Sequence, residues 1–297
     1  MSRREGIQRH RFIIHQLSKR PSSFKEIQDF LELQESLSED KLTCSQRTLQ
    51  RDIKEIEQDY HILIKNDRSR NLYYIAEDGR EEHSERLMET FDLYNAMRIG
   101  NSFGDHLLFE NRKALGTEHM NGLLHAIRHK RLVEFTYEKF EDGAVSRRTV
   151  IPIAIKEARN RWYLIGKDGG VVKNFGLDRM SGLEILQKNF KPVKDYNVQS
   201  EFEHHFGIIN GTGEEPQRVV LSFTPKEGRY ISSLPLHHSQ QEVLCNKKEH
   251  MFEYYLVPTY DFRMELLSYG HTVKVLEPES LKKEIIKQLE IALKSYK

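Results

Sequence analysis

The spacing of apolar residues changes character along this chain, and no other property constrains its fold as much. It is helical over roughly the first 60 residues, alternating from residue 132 to about 195, and mixed from 200 to 297. Separate blocks of different period predict an α+β chain of several domains, and 297 residues suffice for two or three cores. In the first block Ile7, Phe12, Ile13, Ile14 and Leu17 predict a helix ending near Pro21. Ser22 or Ser23 can cap a second helix carrying Phe24, Ile27, Phe30 and Leu31, with Glu26 placed for the reciprocal capping contact. A third, capped by Thr43 or Ser45, buries Leu49, Ile53, Ile56 and Tyr60. Ile62-Leu63-Ile64 and Leu72-Tyr73-Tyr74-Ile75, separated by a polar turn, predict a two-stranded hairpin.

The third helix carries the chemistry. At about 100° per residue, Arg47, Arg51 and Lys54 lie opposite its apolar stripe, with Gln46 and Gln50 on the flank. Arginine and glutamine match the guanine and adenine edges of a duplex major groove. Lys65, Arg68 and Arg70 at the hairpin tip suit a phosphate backbone. A cationic helix face alone is more often ordinary solvated charge; two preceding helices and a basic hairpin after it reverse the balance. Asp52 and Glu55 would repel phosphate, so Asp52 reads as a structural partner for a nearby arginine. The run Ser45-Gln46-Arg47-Thr48-Leu49-Gln50-Arg51-Asp52-Ile53 resembles the recognition helix of bacterial winged helix-turn-helix regulators. That resemblance implies a DNA-binding domain over residues 1–79, with Ser45, Gln46, Arg47, Thr48, Gln50, Arg51, Lys54, Lys65, Arg68 and Arg70 at double-stranded DNA.

Residues 80–131 read as a helical linker. A charged stretch, Arg80 to Glu85, precedes a helix from Leu87 to a break at Gly100 to Gly104. Met120, Leu123, Leu124 and Ile127 mark another helix, and its basic end, Arg128-His129-Lys130-Arg131, reads as solvated charge at a negative dipole terminus.

From 132 to 195 strands are expected at Val133–Tyr137, Thr149–Ile155, Arg161–Gly166 and Val171–Leu177, separated by tight turns and suggesting a small, strongly bent sheet or barrel. Arg161-Trp162-Tyr163-Leu164-Ile165-Gly166, preceded by Arg148-Thr149-Val150-Ile151-Pro152 and followed by Phe175-Gly176-Leu177-Asp178-Arg179-Met180, resembles a WYL domain. The resemblance implies an Sm/SH3-like β-barrel that senses a nucleotide or oligonucleotide effector in bacterial regulators of stress or defence. Strand alternation puts Trp162 and Leu164 on one face and Arg161, Tyr163 and Ile165 on the other. With Trp162 in the core, Tyr163 and Arg161 face outward, where they can hold a base and a phosphate. Many members of the family have an arginine after the phenylalanine that is Phe175 here; this chain has Gly176, which shifts anion contact to Arg148, Lys156, Lys173 and Arg179.

Residues 200–297 read as strand, helix, two strands, helix, strand, a ferredoxin-like split βαβ, closed by an amphipathic helix from Glu279 to Tyr296. Ser233-Leu234-Pro235-Leu236-His237-His238-Ser239-Gln240 and Leu267-Ser268-Tyr269-Gly270 resemble the C-terminal extension that accompanies WYL domains, which implies dimerisation and ligand control.

Other classes find little support. Cys44 and Cys245 are far apart in sequence and in no C-x-x-C pair, which fits a reducing cytoplasm. The apolar Phe12-Ile13-Ile14 is too short for a signal core or a membrane span. His204-His205 and His237-His238 are adjacent pairs that point to opposite faces on a strand, so no metal or cofactor is expected. No phosphate-binding loop, nucleophile elbow or zinc-protease motif appears, so no enzyme is expected. The composite expectation is a cytoplasmic, homodimeric, ligand-responsive DNA-binding transcriptional regulator. A single-stranded nucleic-acid-binding accessory protein is the second reading.

Overall fold

A computed structural model describes residues 3–36, 41–60, 62–76, 89, 90, 93, 116–193, 196–210 and 213–297. The chain forms two compact units, Met1–Asn111 and Arg112–Lys297, each treated by itself below. The helix expected from Leu87 and the break at Gly100 to Gly104 lie almost wholly outside the described residues. No described helix is long and apolar enough to cross a membrane.

In the first unit, α1 (Arg3–Lys19), α2 (Phe24–Ser36) and α3 (Gln46–Tyr60) precede the antiparallel strands β1 (Ile64–Asp67) and β2 (Leu72–Ile75). The Ser23–Glu26 capping pair closes both ways: the Ser23 backbone N–H donates to Glu26 at 2.8 Å, and the Glu26 N–H donates to the Ser23 hydroxyl at 3.3 Å. Ser45 caps α3, accepting from the Thr48 N–H at 3.2 Å. Ile13, Leu17, Ile27, Leu31, Leu49, Ile56 and Tyr73 interlock as one core. The first hairpin strand runs later than the Ile62–Ile64 expected. Ile62 is a buried core residue before the strand, which alternates from Ile64 into the turn. Ser22 exchanges backbone bonds with Tyr73 at 2.9 and 2.8 Å, tying the hairpin to the start of α2.

The second unit starts with α4 (Met120–Arg128), then β3 (Arg131–Glu138), β4 (Val145–Ala158), β5 (Arg161–Asp168), β6 (Val171–Gly176) and β7 (Met180–Asn189). These strands form an antiparallel sheet in the order β6-β5-β4-β3-β7. Although α4 falls in the stretch read as linker, its Leu123 and Ala126 pack with Val133, Phe135, Val150, Leu164 and Phe175 in the core of this sheet. The alternation of apolar residues does not predict β7. Most of its side chains are exposed, and its ladder with β3 shifts register twice, so it has no clean two-residue period.

A short helix, α5 (Val198–Phe202), leads to β8 (Gln217–Phe223), α6 (Pro225–Ser233), β9 (Gln241–Cys245), β10 (His250–Leu256), α7 (Tyr260–Ser268), β11 (Val273–Glu277) and α8 (Glu279–Ser295). The sheet order β11-β8-β10-β9, antiparallel throughout, has the split βαβ connectivity expected for residues 200–297. Its core joins Leu221, Phe223, Phe252, Tyr254, Phe262 and Leu281. Together the units make a mixed α+β multidomain chain.

Candidate functional site

In the first unit α3 is divided lengthwise. Leu49, Asp52 and Ile56 are buried, whereas Gln46, Arg47, Gln50, Arg51 and Lys54 are exposed. Ser45 is exposed and Thr48 half-buried, their hydroxyls 3.0 Å apart at the helix start. Arg51 lies 3.4 Å from Glu55 and stays 60% exposed, so its guanidinium can leave that carboxylate at little cost.

The buried Asp52 fixes this helix. Arg9 from α1 reaches it through Nε at 2.5 Å and Nη2 at 3.1 Å, and both side chains are 0% exposed. Burial alone would raise the Asp52 carboxyl; the partnership with His10 and Arg9 holds it below its ordinary range. The structural role read for Asp52 thus has its arginine, 43 residues away in sequence.

Lys65, Arg68 and Arg70 are exposed on the hairpin. Asp67 organises the tip, accepting from Ser69 N–H at 2.9 Å and Arg70 N–H at 3.3 Å, while Arg70 remains 78% exposed.

In the second unit the six residues expected at an effector divide into two groups. Lys156 on β4 pairs in register with Tyr163 on β5, and Tyr163 with Gly176 on β6. Directly paired residues share a face, so the three form a row with steps of about 5 Å. Gly176 leaves its place to Arg179: a Cβ there would lie 2.8 Å from Arg179 Nη2 and 2.6 Å from Asp178 Oδ1. The departure from the family pattern therefore does not empty this end of the row; a guanidinium from three residues downstream occupies the position. Arg179 also lies over the Tyr137 and Phe140 rings, at 5.2 and 4.8 Å. Arg161 ion-pairs with Asp178 and approaches the same Phe140 ring at 5.9 Å. Arg179 Nε and Asp178 Oδ1 are buried and face each other at 3.9 Å, an ion pair without a hydrogen bond. Burial raises the Tyr163 phenol, so it remains a neutral donor at physiological pH. Arg148 and Lys173 instead meet Asp168 at 3.2 and 2.9 Å, five residues along β5 from Tyr163 and roughly 17 Å away at strand rise.

The outer face of β5 is not open solvent. Ile165, which alternation places beside Arg161 and Tyr163, is 0% exposed. Its register partner Asn174 donates to the Ile208 carbonyl and to Asn210, each at 2.8 Å. Lys156 lies 5.0 Å from the Phe202 ring, and burial lowers its ammonium. Trp162 is half-buried against the sheet core, as expected. Tyr137, Phe140 and Phe202 escaped the sequence reading; exposed Phe140 in a turn was the one visible signal, since the other two contacts depend on tertiary packing.

The segment that carries Phe202 docks on the C-terminal sheet through histidines. Val257 N–H donates to the His204 carbonyl at 2.8 Å, His204 stacks edge-on with Tyr255, and the His237 and His238 rings sit 4.2 Å apart. Burial, then the nearby His238, His204 and His205, push His237 down to about 4. An unfolded histidine titrates near 6.5, so between those values the unfolded chain binds more protons. Stability contributed here is full above pH 6.5 and falls on acidification toward pH 4, by on the order of 3 kcal/mol. Melting of the second unit is expected to drop between about pH 7 and about pH 5, and His237→Asn to flatten the drop. An equal drop in that variant would contradict this origin.

These features define a chain with an exposed cationic helix in one unit and a cation-aromatic row on a small antiparallel sheet in the other. The sequence comparisons place that sheet: residues 118–185 match the WYL domain and residues 215–293 the WCX domain, so the chain carries both. Solved structures similar to it include the following two. Proteasome accessory factor B/C (PafBC) of Arthrobacter aurescens is 20% identical, with a TM-score of 0.35, over 82% of this chain. A CRISPR Cas-related protein is 14% identical, with a TM-score of 0.38, over 86% of this chain and 75% of its own. This chain spans 40% of the length of the PafBC chain. No curated protein matches it.

Proposed function

We propose that this protein is a cytoplasmic, dimeric, ligand-responsive DNA-binding transcriptional regulator. Residues 1–79 act as a winged helix-turn-helix, the stretch 80–131 links it to the sheet and contributes α4 to the sheet's core, residues 132–195 complete the effector-sensing barrel, and residues 200–297 mediate dimerisation and control. The observation that carries the reading is the split character of α3: a buried ion pair holds one side to α1, and the other side presents Arg47, Arg51 and Lys54 to solvent. A helix held rigidly on one face and cationic on the other can enter a major groove, with Lys65, Arg68 and Arg70 on the adjacent backbone. No catalytic role is assigned.

The effector is a nucleotide or oligonucleotide. Arg179, Arg161 and Lys156 supply charge, Tyr163 and Phe140 supply ring faces, and Arg179 Nε meets Asp178 only at 3.9 Å, too far for a hydrogen bond. Arg148 and Lys173, both engaged by Asp168, form a separate outer contact. Control requires that the effector bind two arrangements with different affinity. Lys156 offers a means, because a phosphate competing with the Phe202 ring for its ammonium acts on the segment docked to the C-terminal sheet.

Gel shifts with the duplex upstream of the protein's own coding sequence, against single-stranded competitor and at two salt concentrations, test the reading. Preferential duplex binding that weakens with salt is expected; preference for single strands would favour the accessory-protein reading. Tyr163→Ala or Arg179→Ala is expected to leave duplex affinity intact and to cut the effector response by about tenfold, roughly one lost charged or stacking contact. An unaltered response would remove both residues from the effector site.

A further inference from the structure

We propose that the β9–β10 hairpin binds a divalent transition-metal ion of the zinc type through Glu242, Cys245 and His250. Cys245 pairs directly with His250 across the antiparallel ladder, so the two share a face. Glu242 and Cys245 are three residues apart and would point to opposite faces of a regular strand. A bulge changes that. Met251 pairs with Leu244 but Phe252 with Glu242, so one residue is skipped and the Glu242 side chain is brought round to the face of Cys245 and His250. The ligand atoms of the three residues all lie within 4.8 Å of one another. Tetrahedral zinc needs separations of roughly 3.3–3.8 Å, within reach of a rotamer adjustment in Glu242 and Cys245, which are both exposed.

His250 is the fixed member of the three: it is 3% exposed, and its Nδ1 lies on the Gly228 side of the ring, away from Glu242. Helix α6 makes room for it: a Cβ at Gly228 would lie 2.3 Å from His250 Cβ and 2.5 Å from its Nδ1. A mid-helix glycine lowers helix propensity, so the space for this imidazole has a cost. Phe252 packs against the ring, centroids 4.5 Å apart. The ring is thereby fixed with Nε2 directed toward Glu242, 2.6 Å away. One rigid imidazole beside two exposed, adjustable ligands is a workable chelate. Thiolate, imidazole and carboxylate together suit zinc and cobalt over magnesium or calcium, and leave a fourth position for water.

Thiolate binding releases the thiol proton to solvent, as at any cysteine-ligated metal. The ion would pin the exposed edge strand β9 to β10. The opposed faces of the adjacent histidine pairs, which set metals aside in the sequence, do not bear on a site assembled across a bulged hairpin.

The test uses the full-length, untagged, chelator-stripped protein titrated with cobalt(II). The expected result is a one-to-one thiolate-to-cobalt charge-transfer band that added zinc bleaches. Cys245→Ser is expected to abolish the band, Glu242→Gln to weaken binding by about tenfold, and Cys44→Ser to leave both unchanged. Because Cys245 and Glu242 are exposed, these variants fold, which a melt confirms. No band at saturating cobalt, a band that persists in Cys245→Ser, one that disappears in Cys44→Ser, or undiminished binding by Glu242→Gln would each overturn the proposal.

Discussion

Replacing Asp52 by alanine is expected to destabilise the first unit by about 3–5 kcal/mol, the usual result of stranding one member of a buried ion pair. The variant leaves the Arg9 guanidinium at 0% exposure without the carboxylate that now meets it through two nitrogens. Domain stability is typically only about 5–15 kcal/mol, so such a loss removes much of what holds the unit together. Asp52→Asn, which keeps an acceptor oxygen for Arg9 while removing the charge, is expected to lose less than Asp52→Ala. Thermal melts of the full chain should show the first-unit transition lowered most in Asp52→Ala, less in Asp52→Asn, and the second-unit transition unmoved in both. An Asp52→Ala variant that melts like the parent would show that the pair does not hold α3.

The second large effect concerns binding and should leave stability untouched. Arg47→Ala with Arg51→Ala removes two exposed guanidinium groups from α3. At ~2 kcal/mol for each base-reading arginine, the pair amounts to a loss of roughly 1,000-fold in duplex affinity. The melt should change little, since both side chains are exposed and the Arg51 contacts to Asp52 and Glu55, at 3.6 and 3.4 Å, are solvent-screened pairs of little stability value. The contrast separates the two variants: Asp52→Ala loses binding through unfolding, the arginine pair with the fold intact. Full affinity in the folded double variant would remove α3 as the reader.

How far the residues alone revealed this arrangement follows from the range of the interactions. Helix α3, with its Ser45 cap and apolar stripe, is fixed by local spacing, and its boundaries are legible. The C-terminal βαββαβ order is also legible, because β8, β10 and the closing helix have strong periods and clear turns separate the rest. Strand β7 is not, since its exposed residues take their conformation from pairing with β3. Ile165 shows a limit of alternation. A two-residue period tells which residues share a face, and cannot tell whether that face is later covered, as here by the Ile208 segment. The residues expected at an effector divide for the same reason. Tyr163 and Lys156 converge through cross-strand register and Arg179 through the space at Gly176, whereas Arg148 and Lys173 are drawn to Asp168 at the end of β5. Gly176 looked like the loss of a cation until the fold placed Arg179 over it.

The central claim is that occupancy of the Tyr163–Arg179 row alters how the α3 face meets a duplex. It is tested most directly by fluorescence-anisotropy titration of a labelled operator duplex, with and without a saturating short single-stranded oligonucleotide. Coupling between the sites predicts that the duplex midpoint moves by about 5- to 150-fold, and that duplex shifts oligonucleotide affinity by the same factor. A midpoint that stays fixed while the oligonucleotide is demonstrably bound to the same protein would contradict the account.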